Sequence, residues 1–249
     1  MNLAEQPWTK VKEMLAARKP VAAILPCGAT EAHGPHLPLN TDVIISEGMA
    51  RRAAALLSEL DIQAYVLPPL SYAPAEFAAE FSGTITIGAS TFKALLIDIA
   101  RNLKAQGFAC LAIANSHFDP ANVAALREAV DEVRASGVPV AFPDFTRREL
   151  AQTLTEEFSS GACHAGRFET SLVIADRPDL VDEDARRSLA ANPASLVAAI
   201  KRSARTFAEA GGPNAYFGDP CSATGAEGEH TFGIMSSMLA AAVHKAIDV

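Results

Sequence analysis

Between Glu31 and Asp42 the chain sets a carboxylate, two imidazoles (His33 and His36) and a second carboxylate within twelve residues, interrupted by Gly34, Pro35 and Pro38. Mixed oxygen and nitrogen donors of this kind suit a divalent cation such as zinc or manganese. A second polar break, Asn115-Ser116-His117-Phe118-Asp119, adds an imidazole and a carboxylate two residues apart, which share one side of an extended stretch. Glu31, His33, Asp42, His117 and Asp119 are therefore candidate ligands, enough for two cations if one carboxylate bridges. A third segment, Cys163-His164-Ala165-Gly166-Arg167-Phe168-Glu169, surrounds an imidazole with small residues. His164 titrates near neutral pH and is a candidate proton carrier. Plainer roles compete. Asp42 and Asp119 each precede a helical pattern and could act as helix caps, Asp119 with Pro120 at the first helical position. His33 and His36 also fit structural roles, and His230 and His244 read as surface residues.

These breaks must be held by a scaffold, and short apolar runs alternate with helical patterns around them. The pattern predicts helices over 11–18, 44–60, 91–106, 121–135, 147–159, 193–210 and 231–247, with strands over 21–25, 63–67, 109–114 and 138–142. Residues 84–87 read as a short strand, 168–175 fit either element, and 211–229 read as loop. Such alternation predicts an α/β sandwich with a mainly parallel sheet. Two of the polar breaks follow strands 21–25 and 109–114, and open parallel sheets build their sites outside strand carboxyl ends. No linker stands out, so residues 1–249 are expected to form one domain.

Composition narrows the classes. A formal charge of −8 with no basic run argues against a nucleic-acid partner. No apolar run approaches the ~20 residues that span a bilayer, so no membrane partner is expected. The polar N-terminus lacks a signal core, which points to a cytoplasmic protein. The four cysteines show no CxxC spacing and read as buried filler, although Cys27 and Cys163 stand beside polar motifs.

Taken together, the three segments resemble the creatininase (creatinine amidohydrolase) family. The opening motif is matched by Gly28-Ala29-Thr30-Glu31-Ala32-His33-Gly34-Pro35-His36-Leu37-Pro38-Leu39-Asn40-Thr41-Asp42, with Ala29 the one departure. The second is matched more loosely by Asn115, His117 and Asn122, with Ser116 in a glycine position. The third is matched by His164, Ala165, Gly166, Glu169, Thr170 and Ser171. A fourth is matched by Gly218, Asp219, Pro220, Ala223, Thr224 and Gly228. The resemblance implies a three-layer α/β/α sandwich, a homo-oligomer that is often a hexamer, and a metal centre acting on amide C–N bonds. It implies Glu31 and His117 on one metal, His33 on the second and Asp42 bridging. Asp119 stands where creatininase proper has Glu, and completes the ligand set. By the same resemblance the cofactor is two divalent ions per chain, zinc with manganese or iron at one site. His164 aligns with the proton-transfer histidine, and Glu169 with an acidic position at the centre's edge, as ligand or orienter. Ser116, Phe118 and Arg167 are expected to meet the substrate, Arg167 because its fork matches carboxylate or phosphate.

The expected reaction is hydrolysis of a small or cyclic amide: activated water attacks the carbonyl and His164 protonates the leaving nitrogen. Segment 75–84 lacks the Ser and His of many members, and the single Trp, Trp8, leaves no tryptophan wall near His164, which argues against creatinine itself. Three alternatives stay open. They are a formamide deformylase acting on a nucleotide-derived pyrimidine, a relative that processes a modified peptide in an extended groove, and a binding protein without catalysis. A dinucleotide-dependent dehydrogenase is disfavoured, since no G-x-G-x-x-G follows a predicted strand.

Overall fold

A computed structural model of the protein describes residues 1–162 and 164–247. Four strands, β1 (Val21–Cys27), β2 (Gln63–Val66), β3 (Cys110–Asn115) and β4 (Val140–Ala141), form one parallel sheet in the order β2-β1-β3-β4. Every residue of β1 and β3 is buried. Strands covered on both faces read as continuous apolar runs, which is why these two take the centre. Alternate residues point to opposite faces. Ala22 and Ile24 enter one core, against α2 (Thr41–Glu59), α7 (Arg167–Asp176) and α10 (Gly225–Ile247). Val21, Ala23 and Leu25 enter the other, against α3 (Ala89–Gln106) and α4 (Pro120–Ala135), with α1 (Trp8–Leu15) at its edge. The result is the three-layer α/β/α sandwich with a parallel sheet that the resemblance implied. Among the described residues no helix is long and apolar enough to cross a membrane.

The chain leaves β1 through α2 to reach β2 on one side, then passes through α3 to β3 on the other. The carboxyl ends of β1 and β3 therefore flank the point where the winding reverses. Loops splay apart there and leave a crevice. A third apolar cluster, including Ala32, Phe77, Leu196, Phe207 and Phe217, closes over part of that end of the sheet.

Several predicted elements change. The helix expected over 147–159 is two short ones, α5 (Arg148–Ala151) and α6 (Glu156–Ser160). Thr155 interrupts them, because its hydroxyl caps α6 by accepting the Phe158 N–H at 3.2 Å. The helix over 193–210 shrinks to α9 (Leu196–Lys201), followed by Ser203 in the left-handed region (φ 69°). Residues 84–87 contribute only a single bridge, Ala73 to Thr86. The ambiguous stretch at 168–175 is helix α7, and α10 begins at Gly225, inside the expected loop. A further short helix, α8 (Glu183–Ser188), carries no strong apolar pattern and was not predicted.

Candidate metal centre and its cleft

The loop after β1 starts at Gly28, where a side chain would strike the backbone of α2: an added Cβ would lie 2.6 Å from the Val43 nitrogen. The tight start folds residues 31–39 back on themselves, closed by the Glu31 N–H to Leu39 carbonyl bond of 3.0 Å. Glu31, His33 and the first turn of α2, with Asp42, are thereby brought to one place. Ser116 ties in the second loop, as its hydroxyl donates to the Asp42 carbonyl at 2.6 Å. The side-chain amides of Asn115 and Asn122 both donate to the His117 carbonyl at 2.8 Å. The third loop turns at Ala165, which holds φ 50° and donates its N–H to Glu169 Oε2 at 2.6 Å. A non-glycine residue in that region stores strain, which surrounding contacts must hold in place.

Six side chains meet as a result, all buried: Glu31, His33, Asp42, His117, His164 and Glu169. His117 Nδ1 lies 3.0 Å from both Glu31 Oε1 and Asp42 Oδ2. His33 Nε2 lies 3.2 Å from Asp42 Oδ1 and 3.5 Å from Glu169 Oε2. His164 Nδ1 lies 3.9 Å from Glu31 Oε1. The opposite nitrogen of each ring meets a backbone carbonyl: His33 Nδ1 at Glu31 (3.1 Å), His117 Nε2 at Pro74 (2.7 Å) and His164 Nε2 at Ala32 (2.9 Å). A carbonyl only accepts, so those nitrogens carry the hydrogen. In the neutral rings the inward nitrogens then present lone pairs, the arrangement that orients metal-binding imidazoles.

The charges point the same way. Burial works against a charged His33, yet Asp42, Glu169 and Glu31 push its pKa up to about 10. Burial likewise opposes charge on His117, but Glu31 and Asp42 raise it well above its usual value. Burial raises Glu31, and burial pushes Glu169 up to about 8 against the pull of His33. Burial would raise Asp42 as well, but His33 and His117 hold it far below the usual carboxylate range. Asp42 therefore stays ionised, and a cation entering the cluster would displace the protons that its neighbours hold. His33 Nε2 and Asp42 Oδ2 are buried without a well-directed hydrogen bond. Buried polar atoms are seldom left so, and a cation between them would satisfy both. Three groups have donor atoms all within 4.8 Å of one another: Glu31, Asp42 and His117; His33, Asp42 and Glu169; and Glu31, His33 and His164. The donor set fits zinc or manganese.

Asp119 joins none of these groups among the described residues. Its Oδ1 accepts the Ala121 N–H at 2.8 Å, capping α4, and its Oδ2 accepts the Phe77 N–H at 3.2 Å. The cap engages one oxygen and the Phe77 loop the other, and the donor group of His33 and Asp42 contains Glu169 in place of Asp119. Arg167 also departs from expectation. Its Nε faces Glu227 Oε1 at 3.3 Å, and it is not part of the cleft wall. Ser116 is buried and bonded to Asp42, so it shapes the loop instead of meeting a substrate. Phe118 does line the cleft, packed edge-on against Phe158. His36 is buried too, at 2.9 Å from Thr170 Oγ1, and stays outside the groups of donors. Cys27 is a buried thiol that donates to the Leu25 carbonyl, and Cys163 lies outside the described residues.

Five of the six, all but His33, form the floor of a cleft of about 790 Å³. Phe77, Phe118, Phe158, Leu196, Ile200 and Phe207 make its apolar walls. Phe207 stacks on the His164 ring at 4.2 Å between centroids and 28° between planes. No motif points to Phe207, which sits forty-three residues from His164 in a stretch with an ordinary helical pattern. Its only signal was an aromatic in an Ala-rich stretch.

The fold is an α/β/α sandwich with a candidate metal centre, and comparison with known proteins gives the family. A family model described as creatinine amidohydrolase matches residues 4–243. The chain belongs to the creatininase family. It is 33% identical over 220 residues to the mycofactocin precursor peptide peptidase of Mycobacterium ulcerans (strain Agy99), covering 85% of this chain and 80% of that one. It is 30% identical over 200 residues to the creatinine amidohydrolase of Pseudomonas putida, covering 73% and 74%. Among solved structures, a manganese creatininase superposes with a TM-score of 0.76 at 26% identity, covering 99% of this chain and 98% of that chain. A mutant creatininase of Zn-Zn type gives the same values.

Proposed function

We propose that this protein hydrolyses an amide bond in a peptide, using two divalent cations. The observation that carries this reading is the cleft. A volume of about 790 Å³ opens directly onto the donor groups, near the upper end of the ~300–1,000 Å³ typical of sites for drug-sized ligands. A compact ring such as creatinine would leave most of it empty. Peptide processing was one of the open alternatives, and the peptide peptidase relatives support it.

Glu31, Asp42 and His117 would hold one cation, and His33, Asp42 and Glu169 the other. Cations held there would supply Lewis-acid chemistry, favouring attack by water on the scissile carbonyl. His164 does the proton work. Burial, above all, lowers its pKa well below the usual imidazole value, so it stays neutral. Its inward Nδ1 can take a proton from the attacking water and pass it to the leaving nitrogen, which cannot depart as an anion. Ala32 fixes that tautomer and Phe207 fixes the ring plane.

The test is a panel of peptides, lactams, formamides and ureas offered to protein loaded with manganese or zinc. Cleavage of peptides with little or no turnover of the small amides is the expected result. Turnover of a lactam or formamide with every peptide left intact would contradict the proposal.

A further inference from the structure

The cleft has a mouth as well as a floor, and the two differ in charge. All the acidic side chains lining the cleft lie at its inner end: Glu31, Asp42 and Glu169 in the centre, and Asp119 bonded to backbone N–H groups. The charged residues lining the outer part are Arg127 on α4, Arg148 on α5 and Lys201 on α9, all cationic. A protein with a formal charge of −8 has placed three cations from three separate helices around one opening. Arg148 and Lys201 are exposed, and their side chains make no ion pair or hydrogen bond among the described residues. Arg127 is braced, with Nε and Nη2 on Asp144 Oδ2 at 2.8 and 2.7 Å and Nη2 on Thr146 Oγ1 at 3.0 Å. Asp144 is shared with Arg147 at 3.3 Å, so one carboxylate serves two guanidinium groups and the local balance stays positive.

We infer that the mouth of the cleft recognises a carboxylate on the substrate, remote from the scissile bond. The inference rests on the peptide reading and names the feature by which such a substrate is chosen. Arg127 lies seven residues along α4 from Pro120. At 1.5 Å per residue that is roughly 10 Å from the end of the helix beside the centre. An extended peptide covers this in about three residues. The unpaired Arg148 guanidinium and Lys201 ammonium pair with the carboxylate, Arg127 being held by Asp144, while Leu196, Ile200 and Phe207 take the apolar side chains between.

The carboxylate could come from the peptide's C-terminus or from an acidic side chain, and matched peptides separate these. One pair differs only in a C-terminal carboxylate or carboxamide, and a second only in Glu or Gln about three residues from the scissile bond. Binding to the metal-loaded protein is measured by calorimetry beside steady-state cleavage. At least one charged member should bind about tenfold tighter than its neutral partner, a gap that shrinks as salt rises. Arg148→Gln with Lys201→Gln should erase that gap by raising KM, with kcat within about twofold and the neutral peptides unaffected. Both residues are exposed, so melting temperature should hold. Charge-dependent binding without cleavage would remove the peptidase reading and keep this one. Equal affinity for charged and neutral members of both pairs, or a gap that survives the double substitution, would overturn it.

Discussion

Asp42 is the residue on which the centre turns, because each of its oxygens faces a different imidazole: Oδ1 at 3.2 Å from His33 and Oδ2 at 3.0 Å from His117. Asp42→Asn keeps the volume and removes the charge. It should lower bound metal, by elemental analysis after dialysis, to a small fraction of wild type while the protein stays folded. Full metal content in that variant would remove Asp42 from the ligand set. The pH dependence follows from the same field. His33 holds its proton up to about pH 10 in the fold against 6.5 outside it, and Glu169 holds its own up to about 8 against 4.5. Groups with raised values stabilise the fold below their ordinary pKa and lose that contribution as pH climbs through the raised one. Cation-free protein should therefore melt at progressively lower temperature from pH 7 to pH 10. Metal-loaded protein should not, since a cation takes over from the protons. Parallel melting curves with and without metal would contradict this. Glu31, His33, Asp42, His117 and His164 were legible as candidates because Gly and Pro breaks flag shaped loops in any chain. The duties of Asp119 and the stacking of Phe207 were not legible. Whether a carboxylate caps or ligates depends on which N–H groups approach it, here that of Phe77 from a distant loop.

At the scale of elements, the centre is held by close approaches that glycine alone permits. An added Cβ at Gly228 would lie 1.9 Å from the Ser171 carbonyl oxygen, where α10 crosses α7. Helix α7 carries Glu169, so Gly228→Ala should cost about 1–3 kcal/mol or more in unfolding free energy and disturb metal binding with it. An unchanged melting temperature would show that the two helices are free to part. Glu157 on α6 is the second clamp, accepting the Asp219 and Phe168 N–H groups at 2.8 Å each. Glu157→Ala strands two donors and should cost on the order of 2 kcal/mol, seen in a urea titration, with Glu157→Gln restoring part of it. Strands β1 and β3 were readable because a buried central strand is a short, unbroken apolar run. Helices α3 and α4 were readable from their patterns and their stops, Gly107 ending α3 and Asp119-Pro120 opening α4. The break between α5 and α6, and the short span of α9, were not. Residues 147–159 keep a helical pattern, and only the Thr155 cap shows that the backbone leaves the helix there.

For the whole molecule, winding direction decides where chemistry happens. The reversal between β1 and β3 sets two loops side by side, and α7 brings the third from the other half of the chain. Resemblance to the family supplied this arrangement in outline. The size of the cleft and its basic mouth belong to this chain's own loops and short helices, where spacing patterns say little. A homo-oligomer, with a hexamer as the specific form, is our proposal for the assembled state; light scattering on a sizing column should return a multiple of the monomer mass, and a monomer at micromolar concentration would exclude it. The most direct test of the centre itself is anomalous diffraction from crystals soaked in zinc. Two strong peaks are expected on either side of Asp42, one reached by Glu31 and His117 and the other by His33 and Glu169. A map without density between those side chains at saturating zinc, or with its peaks at surface residues only, would contradict it.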